Sequence, residues 1–246
     1  MLFYLILAGV GVLAGGVAAV AGFGIGSLLT PALALQVGTK LAVAAVAIPH
    51  AIGSAQRFWL LRGHVDWRVV RSFGIPSALG GLAGAFLQAR AASRVLEVVF
   101  GGLLILAGIS ELTGWMRLVR WGRSAAWAAG AVSGALGGLV GNQGGIRTAA
   151  MLGYDVSKEA LVATTTVIAL FVDAARLPVY LVTQGEEIAG LWVQVLVLSG
   201  GVVVGTLLGR RILGRLSQPV FRRVIALLLI GLGAYMLWGG GSAGGT

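Results

Sequence analysis

Few side chains in this sequence could do chemistry, and one group of them sits beside glycines. Arg147 stands two residues after the glycines that open VGNQGGIRTAAMLGYDVSK (residues 140–158), with Asn142, Gln143 and Thr148 close by. A guanidinium beside the start of a short helix makes an anion site. Free N–H groups and the helix dipole favour negative charge there, and arginine adds a planar fork that matches carboxylate or sulfonate oxygens. A second glycine cluster, in AGFGIGSLLTPALALQVGTK (residues 21–40), lacks charge at its opening and offers backbone N–H groups and Ser27. The two stretches could enclose an anion from both sides, with Gly24, Gly26, Ser27, Asn142, Gln143, Gly144, Gly145, Arg147 and Thr148 as the substrate-binding set. Two plainer readings stand beside this one: Arg147 reaches a lipid headgroup or pairs with Asp155, and the glycines serve close packing alone.

A further group has the chemistry for ion coupling or gating: His50, Gln56, Arg57, Thr165, Asp173 and Arg176. Asp173 and Arg176 are three apart, so they share a helix face and pair. The pair either positions helices as a neutralised unit or touches a coupling ion or the substrate. His50 could carry a proton, because histidine titrates near neutrality, or it could be a hydrogen-bonded core residue. Thr164, Thr165 and Thr166 form a hydroxyl cluster, although threonine often bonds back to its own helix.

Other chemistry is excluded. The chain has no cysteine, hence no disulfide, thiolate metal site or cysteine nucleophile. It has no H-E-x-x-H, G-x-S-x-G or Walker A sequence, and GFGIG follows an apolar helix rather than a strand. No enzymatic activity, cofactor or metal is expected.

The elements that position these residues are membrane helices. Of 246 residues 58% are hydrophobic and 11% charged, and the mean hydropathy is +0.95. Several apolar runs approach or exceed the roughly 18 residues that mark a spanning helix. The expected runs are 2–21, 41–61, 69–87, 95–109, 125–140, 160–182, 188–208 and 220–238, with two shorter runs, 27–37 and 146–154, after the glycine clusters. Glycine at such a break lets a helix end, and the backbone groups left open must be satisfied by protein or a water-filled cavity. The net charge of +10 suits topology rather than nucleic acid, because the arginines flank apolar runs. The N-terminus has no basic n-region and reads as a retained helix, and the Gly-rich end reads as a flexible tail. The tryptophans fall near run ends, as an aromatic belt does.

The pattern repeats. Gly26 corresponds to Gly144, Lys40 to Lys158, Gly84 to Gly205 and Gly108 to Gly233, at intervals that drift from 118 to 125 residues. This predicts a first transmembrane repeat over 1–115, a basic connecting loop over 116–124, a second repeat over 125–238 and a tail over 239–246. The expected fold is an all-α polytopic membrane protein of two inverted repeats. Each repeat would carry a Gly-broken re-entrant or discontinuous helix pair plus three transmembrane helices. With that count, Arg62, Arg68, Arg71, Arg117, Arg120, Arg123, Lys158, Arg210, Arg211, Arg215, Arg222 and Arg223 collect on one face. The positive-inside rule makes this face cytoplasmic and puts both termini outside. Inverted repeats with broken helices are a recurrent transporter plan, with the substrate held near the midplane.

GFGIGSLLTP in the first half and GNQGGIRTAAMLG in the second resemble the TauE/SafE sulfite exporter family, also called the toluene sulfonate uptake permease family, over nearly the whole chain. Its Gly-rich segments fall on Gly22, Gly24 and Gly26, with Pro31, and on Gly141, Gly144 and Gly145. Asn142 and Gln143 replace small residues, Arg147 follows, and alanine stands where the second proline is expected. The resemblance implies a secondary transporter of small organosulfur anions, a sulfonate such as sulfoacetate or a sulfite-like oxyanion, in the bacterial inner membrane. Export by alternating access is expected, with a proton or sodium ion as coupling partner and a monomer or homodimer as the unit. A passive anion channel, a carrier of small organic carboxylates and a membrane scaffold subunit remain as alternatives.

Overall fold

The computed structural model describes residues 1–115, 123–142, 144, 147, 157–212 and 217–239; the basic loop, most of the second glycine segment and the Gly-rich tail lie outside them. The described chain is helical, with no strand. Its elements are α1 (Leu2–Ala21), α2 (Ile25–Leu61), α3 (Trp67–Val69), α4 (Ile75–Arg90), α5 (Ser93–Thr113), α6 (Arg123–Val140), α7 (Lys158–Gly190), α8 (Trp192–Ile212) and α9 (Gln218–Gly239). A π turn, Val70–Gly74, makes α3 and α4 continuous. Seven helical stretches are long and apolar enough to cross a membrane, and α6 is a shorter apolar helix. Their outward faces carry exposed Leu, Val, Ile and Phe, as a surface facing lipid does.

Glycine sets both where helices stop and how closely they meet. Helix α1 ends at Gly22 (φ 79°), whose N–H bonds the Ala18 carbonyl at 2.9 Å, and α6 ends at Gly141 (φ 73°), whose N–H bonds the Gly137 carbonyl at 3.0 Å. These are the same left-handed cap, placed 119 residues apart. The expected first break spans Gly22 to Gly24; Gly26 already lies within α2.

Helix α2 doubles back on itself. As a straight rod, Ile25 and Gly53 would stand about 42 Å apart at 1.5 Å per residue. Instead the Ile25 side chain lies against Gly53, so the chain reverses at Gly38 (φ 76°, ψ 160°), and 25–37 returns along 39–61. The turn is pinned to the α4–α5 junction: Lys40 Nζ donates to the Ala89 carbonyl (2.7 Å) and Gln88 Nε2 to the Lys40 carbonyl (2.8 Å). Only glycine occupies that backbone region without strain, at a cost to other residues of about 1–3 kcal/mol. Gly38→Ala is therefore expected to lower the thermal unfolding midpoint of the detergent-solubilised protein, although its methyl would find room beside Ser93. Gly63→Ala, where the space is open, serves as the neutral control; equal midpoints for the two would contradict the strain at Gly38.

Helix α7 is kinked where the sequence pattern predicts a break. The polar stretch from Thr183 to Glu187 reads as a loop between two runs, and the non-helical backbone of Gln184 (φ −143°, ψ 22°) divides the element there into a long helix and a short helical piece that ends at Gly190. Buried Gln184 donates from Nε2 to Gln88 Oε1 (3.0 Å), so its side chain is matched inside the protein and does not need water.

The helices then pair in seams of small residues. Helix α1 runs parallel to α8 with Gly11 against Gly201 and Gly15 against Val202 and Thr206, and α6 runs parallel to α4 with Gly134 against Ser77 and Gly138 against Gly81. Helices α5 and α9 cross antiparallel, with Gly101 against Gly233 and Gly108 against Ala226. Such stripes allow close backbone approach where no hydrophobic effect drives association within lipid.

Candidate functional site

The two glycine breaks meet. Gly26 approaches so closely that a side chain there would strike the Gly141 carbonyl, and Ser27 Oγ donates to Asn142 Oδ1 at 3.3 Å. A small cavity opens at this junction, lined by Gly22 to Ser27, His50, Arg57, Gly141, Asn142, Gly144, Arg147 and Ala169. The centres of water-sized bodies have about 20 Å³ to move in, room for one or two waters. A substrate larger than that requires the cavity to widen. The reversal at Gly38 assembles the wall, since it returns the start of α2 to the level of His50 and Arg57.

The charges are buried and unequally partnered. Arg147 is 4% exposed; its Nη1 donates to the Thr165 carbonyl at 2.6 Å, while its Nε has no partner among the described residues. Arg57 is 3% exposed and donates from Nη2 to Ser54 Oγ at 3.1 Å, leaving Nε and Nη1 without partners there. Three guanidinium nitrogens thus stay unmatched among the described residues around one cavity. Each costs free energy unless a guest accepts from it.

Asp173 is fully committed. Its Oδ1 accepts from Arg176 Nε (2.9 Å) and Nη2 (2.8 Å), and its Oδ2 lies 2.7 Å from His50 Nδ1. A carboxylate accepts only, so Nδ1 of His50 carries the proton and Nε2 is left as the second ring nitrogen. Arg176 also donates from Nη1 to the Gly137 carbonyl (2.7 Å), and the Tyr180 hydroxyl donates to the Gly138 carbonyl. The pair therefore closes the C-terminus of α6, where a cation suits the dipole. In this arrangement Asp173, Arg176 and His50 form one chain from the end of α6 to the cavity wall.

The remaining residues singled out by sequence divide. Gly24, Gly26, Ser27, Asn142, Gly144 and Arg147 line the cavity; Gln143, Gly145 and Thr148 lie outside the described residues, as does Asp155. Gln56 lies away from the cavity and donates from Nε2 to the Val203 carbonyl of α8 (3.3 Å). Thr165 presents its carbonyl to Arg147 while its hydroxyl bonds back to Val162 (3.0 Å). Phe23, Ile25 and Ala169 also line the cavity and carry no charge or spacing that the sequence pattern could single out. Among the described residues no group of His, Asp or Glu could hold a metal ion.

A family model described as Sulfite exporter TauE/SafE matches residues 7–236. The probable sulfite/organosulfonate exporter TauE of Cupriavidus necator is similar to this chain: 27% identical over 231 residues, which cover 89% of this chain and 87% of that one. No solved structure matches the chain.

Proposed function

Since the chain belongs to the sulfite exporter TauE/SafE family, transporters and not enzymes, we propose that it exports a small sulfonate or sulfite-like anion from a site between its two glycine breaks. Arg147 binds the anion, and Ser27, Asn142 and backbone N–H groups at both breaks complete its shell. The observation that carries this reading is the cavity itself, built from both halves of the sequence and lined by two buried arginines whose guanidinium nitrogens are only partly matched among the described residues.

Alternating access of two inverted repeats is the mechanism we favour. The antiparallel α5–α9 seam supports it, because the contacts Gly101–Gly233 and Gly108–Ala226 exchange with one another at the 125-residue interval between the halves. The cavity, with room for little more than water, suits a carrier better than an open channel. His50, tied to Asp173 and facing the cavity, makes a proton the favoured coupling ion. The loop bearing Arg62, Arg68 and Arg71 faces the cytoplasm of a bacterial inner membrane, with both termini outside.

The test is thermal stability of the purified protein against sulfite, sulfate, sulfoacetate, taurine and matched carboxylates. A ligand that binds only the folded state stabilises by about 2.7 kcal/mol at a hundredfold excess over its Kd. Stabilisation by sulfur oxyanions is expected, and Arg147→Ala should lose it while still inserting and folding. A response confined to carboxylates would reassign the substrate, and a flat response would reduce the breaks to architecture.

A further inference from the structure

The two halves of the site are not equivalent, and one of the differences lies at Ser54. Ser54 precedes Asp173, and Arg57 precedes Arg176, by the same 119 residues that separate the matching caps Gly22 and Gly141. In the second half the arginine is neutralised by the acid one turn earlier and spent on the end of α6. In the first half serine stands where the acid would be. Arg57 consequently has no acid one turn before it, makes one hydrogen bond to that serine, and keeps two buried nitrogens without a partner among the described residues in the wall of the cavity it lines.

With His50 left out of the count, Arg57 and Arg147 line the cavity, and the Arg176–Asp173 pair stands behind His50. Among the described residues two positive charges are left over in a membrane interior, where an uncompensated ion is costly. We propose that this surplus selects a dianion, and that Arg57 is a second substrate-binding arginine beside Arg147. A guest with two negative charges compensates both guanidiniums, whereas a monoanion of the same shape leaves one buried and unmatched. The idea rests on the anion-site reading above and narrows its substrate class to small sulfur oxyanions carrying two charges.

The experiment compares matched pairs at pH 8 by thermal shift of the full-length protein: sulfate with methanesulfonate, and sulfoacetate with 2-hydroxyethanesulfonate. Wild type is expected to respond to each dianion at a concentration at least tenfold lower than to its monoanionic partner. Ser54→Asp installs in the first half the acid of the second, and should remove that preference while monoanions still bind. Ser54→Asn matches it in size without charge and should keep the preference. Arg57→Gln removes the charge directly and provides the same readout if the aspartate variant does not fold. Equal response of wild type to both members of each pair, or a dianion preference that survives in Ser54→Asp or Arg57→Gln, overturns the proposal but leaves the anion site standing. Loss of the preference in Ser54→Asn would trace it to shape and overturn it as well. No response of wild type to any of the four removes the anion site itself.

Discussion

Asp173→Ala is expected to destabilise the folded protein by about 3–5 kcal/mol, the cost of leaving a buried charge unpaired. Asp173 and Arg176 are each 1% exposed, and the carboxylate holds Arg176 and His50 at once. Its loss strands a guanidinium that cannot reach water and loosens the clamp that Arg176 places on the Gly137 carbonyl. The Glu111–Arg222 pair gives the scale for comparison. Its side chains are 19% and 28% exposed, so Glu111→Ala should cost no more than about 1 kcal/mol. Thermal unfolding of both variants in one detergent tests the contrast. A double variant, Asp173→Leu with Arg176→Leu, should recover part of the loss, because it removes the charge along with its partner. If Asp173→Ala unfolds no earlier than Glu111→Ala, the buried chain from α6 to His50 is not what holds this region.

What the sequence makes legible follows from which residues leave a periodic or charged trace. The two glycine clusters stand out because three glycines in five residues are rare in an apolar run, and they do mark the breaks that meet at the cavity. Glycine pairs such as Gly84 and Gly205 repeat at an interval that drifts only from 118 to 125 residues, and these two lie in seams where a side chain would strike the neighbouring backbone. Arg147 is legible as a lone charge at membrane depth. Gly38 is not, because a single glycine after an apolar run looks like any other small residue; only its backbone angles reveal the reversal. That reversal is why Arg57 reads from sequence as a coupling or gating residue, apart from the glycine breaks, although it lines the same cavity as Arg147. Ser54 is the least visible of all. A serine in a helix carries no signal until it is set beside Asp173, its counterpart in the other half. The Thr183 to Glu187 stretch does mark a break, the kink at Gln184, but its polarity hides that Gln184 is buried and donates to Gln88 inside the protein.

Gly205→Ala should destabilise the protein while Gly200→Ala, five residues earlier in the same helix, should not. Both changes raise the intrinsic helix propensity of α8 by up to about 1 kcal/mol, so propensity cannot separate them. Packing can. A methyl at Gly200 meets nothing within 4 Å, whereas one at Gly205 would drive into the backbone of Val12 on α1. Backbone cannot rotate aside as a side chain can, so α1 and α8 must separate and weaken the neighbouring contacts at Gly201 and Gly209. Overpacking of this kind costs about 1–3 kcal/mol, before the lost seam contacts are counted. The measurement is the fraction of folded protein after heating, with Gly84→Ala as an internal replicate, since Gly84 meets the Ala135 backbone of α6 in the same way. Equal stability of Gly205→Ala and Gly200→Ala would show that the seam has slack. Without slack, α1–α8 and α4–α6 move as rigid pairs, because packed interfaces resist small deformations. Widening of the cavity would then fall to the glycines that end α1 and α6, Gly22 and Gly141.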